Sequence, residues 1–448
     1  MKIKQFEDKG LSHYSYAVLS ECQDELVLID PTRDITPYLE FAQEHNAKII
    51  AVVETHPHAD FVSGHLELHR RTGATLYCSN LVGADYPHSV FDEGNTIKFG
   101  KIKLSALNTP GHSPDSICVL LEHEEKQKAV FTGDTLFIGD CGRPDLRENV
   151  GNFRAKQKEL AKQMYHSLRE KLLPLLPETI VYPAHGAGTL CGKALSEANQ
   201  STIGEEKEHN WSLKTMAESD FVEALTSDQP FIPHYFVYDV EVNKAGAPDL
   251  EESLARVPEL NESELLSDHL IIDGRPEEIF KEGHLLGAIN IQNGGKFETW
   301  LGSVLKPEEK CYLIGTDVLG AREMLRKASK IGYETKIMGT VTATNKANIL
   351  SPKLDVEDFK KHTEDFTIVD VRNQSEVKEG KLFANSIAIP LPELRERMSQ
   401  VPTDKPIVVH CAGGYRSAVG SSLLEAKLQG NQKVYDLGNS VKEFTPQN

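Results

Sequence analysis

Apolar positions along the chain fall into short runs, and their periods separate strands from helices. Ala17-Val18-Leu19 and Leu26-Val27-Leu28-Ile29 read as an antiparallel pair that ends at Asp30-Pro31. Residues Ile35 to Ala47 carry a helical period, and Lys48–Val53 has the length and β-branched content of a buried strand. Further strands are predicted at Lys101–Leu107, Ser116–Leu121, Ala129–Thr132 and Thr179–Tyr182, with a polar helix from Arg154 to Leu173 between the last two. Residues 1–245 therefore read as strands alternating with helices. Around 240–255 the composition shifts to Asn243-Lys244-Ala245-Gly246-Ala247-Pro248, the signature of a linker.

Beyond that shift the pattern repeats. Leu270-Ile271-Ile272-Asp273-Gly274-Arg275 returns about 97 residues later as Thr367-Ile368-Val369-Asp370-Val371-Arg372. Gly287–Ile291 matches Asn385–Ile389, and Cys311–Gly315 falls on Ile407–Cys411. In each copy a strand precedes a helix, which predicts two small α/β units with parallel sheets. The expected division is 1–245, 246–345 and 346–448.

Three domains also suit the length of 448 residues, too long for one hydrophobic core. The net charge of −18 argues against nucleic acid or an anionic membrane as partner, since both would be repelled. No apolar run reaches the roughly 20 residues that span a bilayer, and the N-terminus turns charged at once. The seven cysteines are scattered with no CxxC pair, which fits a reducing cytoplasm, the expected location.

Chemistry concentrates at strand ends. Thr55-His56-Pro57-His58-Ala59-Asp60-Phe61 follows a strand; Pro110-Gly111-His112, Gly133-Asp134 and Tyr182-Pro183-Ala184-His185 each sit at a later strand-to-loop edge. In a folded sheet all four can converge, and imidazole with carboxylate is what a catalytic divalent metal needs. These residues resemble the metallo-β-lactamase superfamily, whose motif is His-x-His-x-Asp-His. Phe61 replaces the final His and removes a ligand of the second metal, so a single metal is expected.

Within that superfamily, Leu28–Pro31, the loop Asp140-Cys141-Gly142-Arg143-Pro144-Asp145 and Tyr182–His185 resemble persulfide dioxygenases. The resemblance implies an αββα sandwich and one Fe(II) per chain, held by His56, His112 and Asp134. It places His58, Asp60 and His185 around the ligands, with His58 also open as a fourth ligand. Arg143 reads either as an anion contact or as a brace for its own loop; Cys141 and Cys191 read either as near-site thiols or as packing.

His410-Cys411-Ala412-Gly413-Gly414-Tyr415-Arg416-Ser417 follows a buried strand and precedes a helix predicted over Ala418–Gln429. Loop N–H groups, a helix N-terminus and Arg416 all favour a thiolate or persulfide on Cys411. The segment resembles a rhodanese, with Ala412, Gly413, Gly414, Tyr415 and Ser417 forming the persulfide loop; Gly380-Lys381 departs from the family's Gly-His. In the first copy Gly315 takes the nucleophile slot and Asp317 brings negative charge, so that copy is expected to keep the fold without the chemistry. Cys311 is expected in its core, and the copy itself reads as a spacer or an oligomer contact.

The resulting expectation is an α/β enzyme that oxidises thiol persulfides with O₂ to sulfite and passes sulfane sulfur to sulfite, giving thiosulfate, in a homo-oligomer. A glyoxalase-II-like thioester hydrolase, which would need two metals, and a non-enzymatic sulfur carrier are the alternatives.

Overall fold

The computed structural model describes residues 1–22, 24–144, 153–193, 195–229, 231–266, 268–343 and 349–444. It divides into two compact units, Met1–Glu252 with Lys330–Gly332, and Ser253–Ser329 with Tyr333–Asn448. Among the described residues no helix is long and apolar enough to cross a membrane.

The first unit holds two six-stranded sheets. Alternation along each strand decides what lies on either face. Tyr16, Val18, Val27, Ile29, Ala51 and Val53 of one sheet join Val119, Leu121, Ala129 and Phe131 of the other in a single apolar layer. The residues between them point outward: Ala17, Leu19, Leu26 and Leu28 pack with Tyr38 and Phe41 of the helix Thr36–Glu44. Cys118, Leu120 and Val130 pack with Met164 and Leu168 from Phe153–Ser167 and its continuation. Strands buried on both faces explain the unbroken apolar runs, and the result is an αββα sandwich.

Two expectations fail in detail. The second sheet is largely an antiparallel meander through Thr96–Phe99, Ile102–Asn108, Ile117–His123 and Lys126–Gly133, with no intervening helices. Short hairpin connections impose that pairing, which apolar period alone does not report. The expected linker is helical at both ends, Tyr235–Ala245 and Leu250–Ala255, and the boundary between the two units falls within it. Asn243 is buried in the helix Tyr235–Ala245, donates to His58 O and Phe61 O at 2.8 Å each, and accepts from Ser63 N at 2.8 Å. Its amide therefore bolts down the loop that carries the first His-x-His.

The second unit contains two parallel sheets, the first ordered through Glu259–Leu260, Ile337–Thr342, Cys311–Gly315, Leu270–Asp273 and Ala288–Asn290. The second runs Val434–Asp436, Ile407–His410, Thr367–Asp370, Ile387–Ala388, the same order without the extra edge strand. Each copy uses the same clamp. Arg275 donates to Asp273 at 2.6–3.1 Å and to Gly283 O at 2.9 Å. Arg372 donates to Asp370 at 2.7–3.1 Å and to Gly380 O at 3.0 Å. Cys311 is fully buried, as expected of a core residue.

Candidate metal centre and sulfur-transfer loop

The ends of Lys48–Val53, Ile102–Asn108 and Lys126–Gly133 carry His56, His112 and Asp134 into one buried cluster, with ligand atoms within 4.8 Å of one another. Asp134 Oδ2 lies 3.8 Å from His56 Nε2 and 3.5 Å from His112 Nε2. The remaining polar atoms are tied outward. His112 Nδ1 donates to Arg143 O at 2.7 Å, which leaves Nε2 with its lone pair facing the cluster. Among the described residues His112 Nε2 and Asp134 Oδ2, both buried, meet no hydrogen-bond partner, a costly state unless a cation takes them. Burial alone would raise the Asp134 pKa, but His185, by its charge and its hydrogen bond, holds it well below the usual carboxylate range. An anionic carboxylate and two inward lone pairs fit a divalent metal.

His185 stands behind Asp134, its Nδ1 2.7 Å from Asp134 Oδ1 and its Nε2 2.8 Å from Asp60 Oδ2. Burial opposes its charge, yet the two carboxylates raise its pKa well above the ordinary value. Asp60 and His185 thus join the site through Asp134. Cys191 falls with them in a second group of possible ligand atoms. Its thiol is pushed well up by burial and by Asp60 and Asp134. Cys141 packs in the helix-side core and its thiol is also pushed well up, chiefly by burial.

His58 turns away from the trio. Its Nε2 lies 3.2 Å from Asp30 Oδ1, in a third group with Asp30 and Glu54. Asp30 accepts from Thr55 N at 2.7 Å and Thr55 Oγ1 at 2.8 Å, which pins the loop entering His56. Its backbone is left-handed at φ 49°, a strained geometry for a non-glycine residue. The only sequence trace of this role is an Asp-Pro pair closing a strand. Phe61 is fully buried, with ring centroids 4.0 Å from His13 and 4.3 Å from His58. Arg143 meets the site through its carbonyl; its guanidinium donates to Phe231 O at 3.3 Å and lies 5.6 Å from the Phe236 ring. Asp145 lies outside the described residues.

In the last copy the helix begins at Tyr415 rather than Ala418, so Tyr415, Arg416 and Ser417 form its first turn. Gly414, at φ 101°, donates its N–H to Cys411 Sγ at 3.1 Å. It caps the helix with no side chain, which leaves the end open to sulfur. Ser417 Oγ donates to Gly414 O at 2.8 Å, while Ala412 and Gly413 are exposed. Arg416 is not an isolated charge: it is bidentate to Glu376 at 2.6 and 2.8 Å. The strand registers set Gly315 where Cys411 stands, since Ile314 pairs with Asp273 and His410 with Asp370.

Comparison with known proteins adds five findings. The family model described as metallo-beta-lactamase superfamily matches residues 9–185, and that described as rhodanese-like domain matches 355–447. A Mus musculus protein named persulfide dioxygenase ETHE1, mitochondrial, is 31% identical over 224 residues, 50% of this chain and 79% of that protein. A Schizosaccharomyces pombe protein named probable hydroxyacylglutathione hydrolase is 32% identical over 178 residues, 39% of this chain and 63% of its own length. A crystal structure of a metallo-beta-lactamase from Staphylococcus aureus subsp. aureus COL superposes with TM-score 0.71 at 33% identity, covering 77% of this chain and 99% of that one.

Proposed function

We propose, from the premise that this chain belongs to the metallo-β-lactamase superfamily and ends in a rhodanese-like domain, that it is a persulfide dioxygenase fused to a thiosulfate-forming sulfurtransferase. Kinship with persulfide dioxygenases and the rhodanese-like domain together support an enzyme of persulfide metabolism. The observation that carries the finer reading is the two-histidine, one-carboxylate cluster of His56, His112 and Asp134, beside which Phe61 offers no ligand. Such a set suits one Fe(II) per chain and leaves positions for substrate.

When bound there, Fe(II) supplies the redox chemistry by which a persulfide RSSH, O₂ and water yield RSH, sulfite and two protons. The chain's own residues do the rest. His56 and His112 present neutral nitrogens, and Asp134 stays ionised against its burial because His185 bridges it to Asp60. At the second site the Cys411 thiolate attacks the outer sulfur of another RSSH. The RS–S bond breaks, RS⁻ leaves, and Cys411 carries the persulfide. Sulfite then takes that sulfur as thiosulfate and returns the thiolate. Gly414 N–H and the open helix end stabilise the anionic sulfur throughout.

A second reading, thioester hydrolysis, draws on the likeness to a hydroxyacylglutathione hydrolase and needs two metals. O₂ uptake by the iron-loaded chain with a small-molecule persulfide separates the two. Wild type is expected to yield thiosulfate with one iron per chain, and Cys411→Ser to yield sulfite. Two metals per chain and no O₂ uptake would move the assignment to hydrolysis.

A further inference from the structure

The repeat's first copy has lost its nucleophile, yet it touches the second copy at the residues that shape the Cys411 loop. We propose that this middle copy is a positioning scaffold for sulfur transfer, fixing the register of the helix Tyr415–Leu428 and of Gly414 through two separate struts. The proposal goes beyond the two activities above and rests on the reading of Cys411 as the nucleophile.

The first strut runs along the helix. Tyr415 Oη donates to Gln292 O at 2.7 Å, just past the middle copy's edge strand Ala288–Asn290. Two turns later Ser422 Oγ accepts from Asn290 N at 2.9 Å. Ser422 gives its own proton to Val419 O at 2.9 Å, so its lone pair is what meets Asn290. Residues seven apart share a helix face. The edge strand's outward N–H is thus matched to a hydroxyl on the other copy's helix, and a second bond holds that helix at its first residue. Rotation or sliding of the helix would break both together.

The second strut comes from beneath. Lys281, on the helix Glu277–Glu282, holds Asp436 at 2.7 Å, and Asp436 Oδ1 accepts from Gly438 N at 2.9 Å. Gly438 and Asn439 in turn run close behind Gly414: a Cβ there would lie 3.3 Å from Gly438 C and Asn439 N. Tyr415 is adjacent to Gly414 on the other side. The first strut reaches Tyr415, next to the residue whose N–H holds the Cys411 sulfur, and the second reaches the segment behind that residue.

Tyr415, Gln292, Ser422 and Lys281 are therefore positioning residues, and the test must read sulfur chemistry as well as folding. The full chain is assayed with thiosulfate as donor and cyanide as acceptor, and thiocyanate is measured from pH 6 to 9. Tyr415→Phe and Lys281→Gln are each expected to lower kcat about three- to tenfold, the worth of one hydrogen bond or ion pair. The KM for cyanide stays within twofold, the acid limb of the pH profile moves upward, and Lys281→Arg restores kcat. Wild-type kcat and an unshifted profile in both variants would overturn the proposal. If Tyr415→Phe proves unfolded by its thermal transition, Lys281→Gln decides, because Lys281 is partly exposed and its loss leaves no cavity. No thiocyanate from wild type, with Cys411→Ser indistinguishable from it, would instead sink the nucleophile reading.

Discussion

Two copies of one small fold sit side by side in this chain, and they differ most where a helix begins. In the last copy Gly414 N–H points at Cys411 Sγ from 3.1 Å, and the helix end has no side-chain cap. In the middle copy the corresponding end is closed from within: Asp317 Oδ1 accepts Gly320 N at 2.7 Å. One end waits for an anionic sulfur; the other supplies its own anion. The clamps Asp273–Arg275 and Asp370–Arg372 are nearly equal in their bond lengths, so the divergence at the loop does not extend to them. A helix N-terminus is a general anion site, and what occupies it decides whether chemistry follows.

The contrast can be broken most forcefully by trying to restore the missing thiol. A Cβ at Gly315 would lie 2.4 Å from Ala321 N and 2.8 Å from its Cα, both backbone. Gly315→Cys in a Cys411→Ser background is therefore expected to form no thiocyanate and to lose about 1–3 kcal/mol of stability in denaturant unfolding. Sulfur transfer by that double variant would mean that the loop relaxes and that Gly315 alone separates the copies.

A smaller effect is expected from Glu376, which neutralises Arg416 beside the nucleophile. Glu376→Gln frees the guanidinium charge and should lower the KM for thiosulfate by about threefold, more at low ionic strength. An unchanged or higher KM would make the pair a fixed brace rather than a shared charge.

The smallest effect sharpens the contact between the copies. Burial and the neighbouring Asp436 raise the Glu277 pKa to about 7, from an ordinary 4.5. The folded state then binds more protons than the unfolded one between pH 4.5 and 7, so Glu277 costs stability as pH rises through that window. Glu277→Gln should raise the thermal midpoint at pH 8 and leave it unchanged at pH 4. A rise of equal size at both values would locate the effect in packing.

Much of this was written in the chain's order of residues. The His-x-His-x-Asp run, the Pro-Gly-His and Gly-Asp turns and Cys411 are each local, because a ligand at a strand end is announced by the strand that carries it. The copies are legible for the same reason, as a repeated Asp-x-Arg after an apolar run. What failed was pairing and partner. The meander of the second sheet is set by short hairpins that apolar period does not report, and Asn243 beneath His58 depends on segments far apart in sequence.

The sequence by itself determined which side chains are available at the strand ends, and that one copy kept a thiol where the other kept none. Only the tertiary structure decided how those side chains are used. Arg416 reads as a free cation until Glu376 is seen against it, and Tyr415 as a loop residue until Gln292 receives its hydroxyl proton. A residue type states what chemistry is possible. Burial and the partner that burial imposes settle whether its charge, proton or lone pair remains available, and those partners are set by chain crossings that no local pattern encodes.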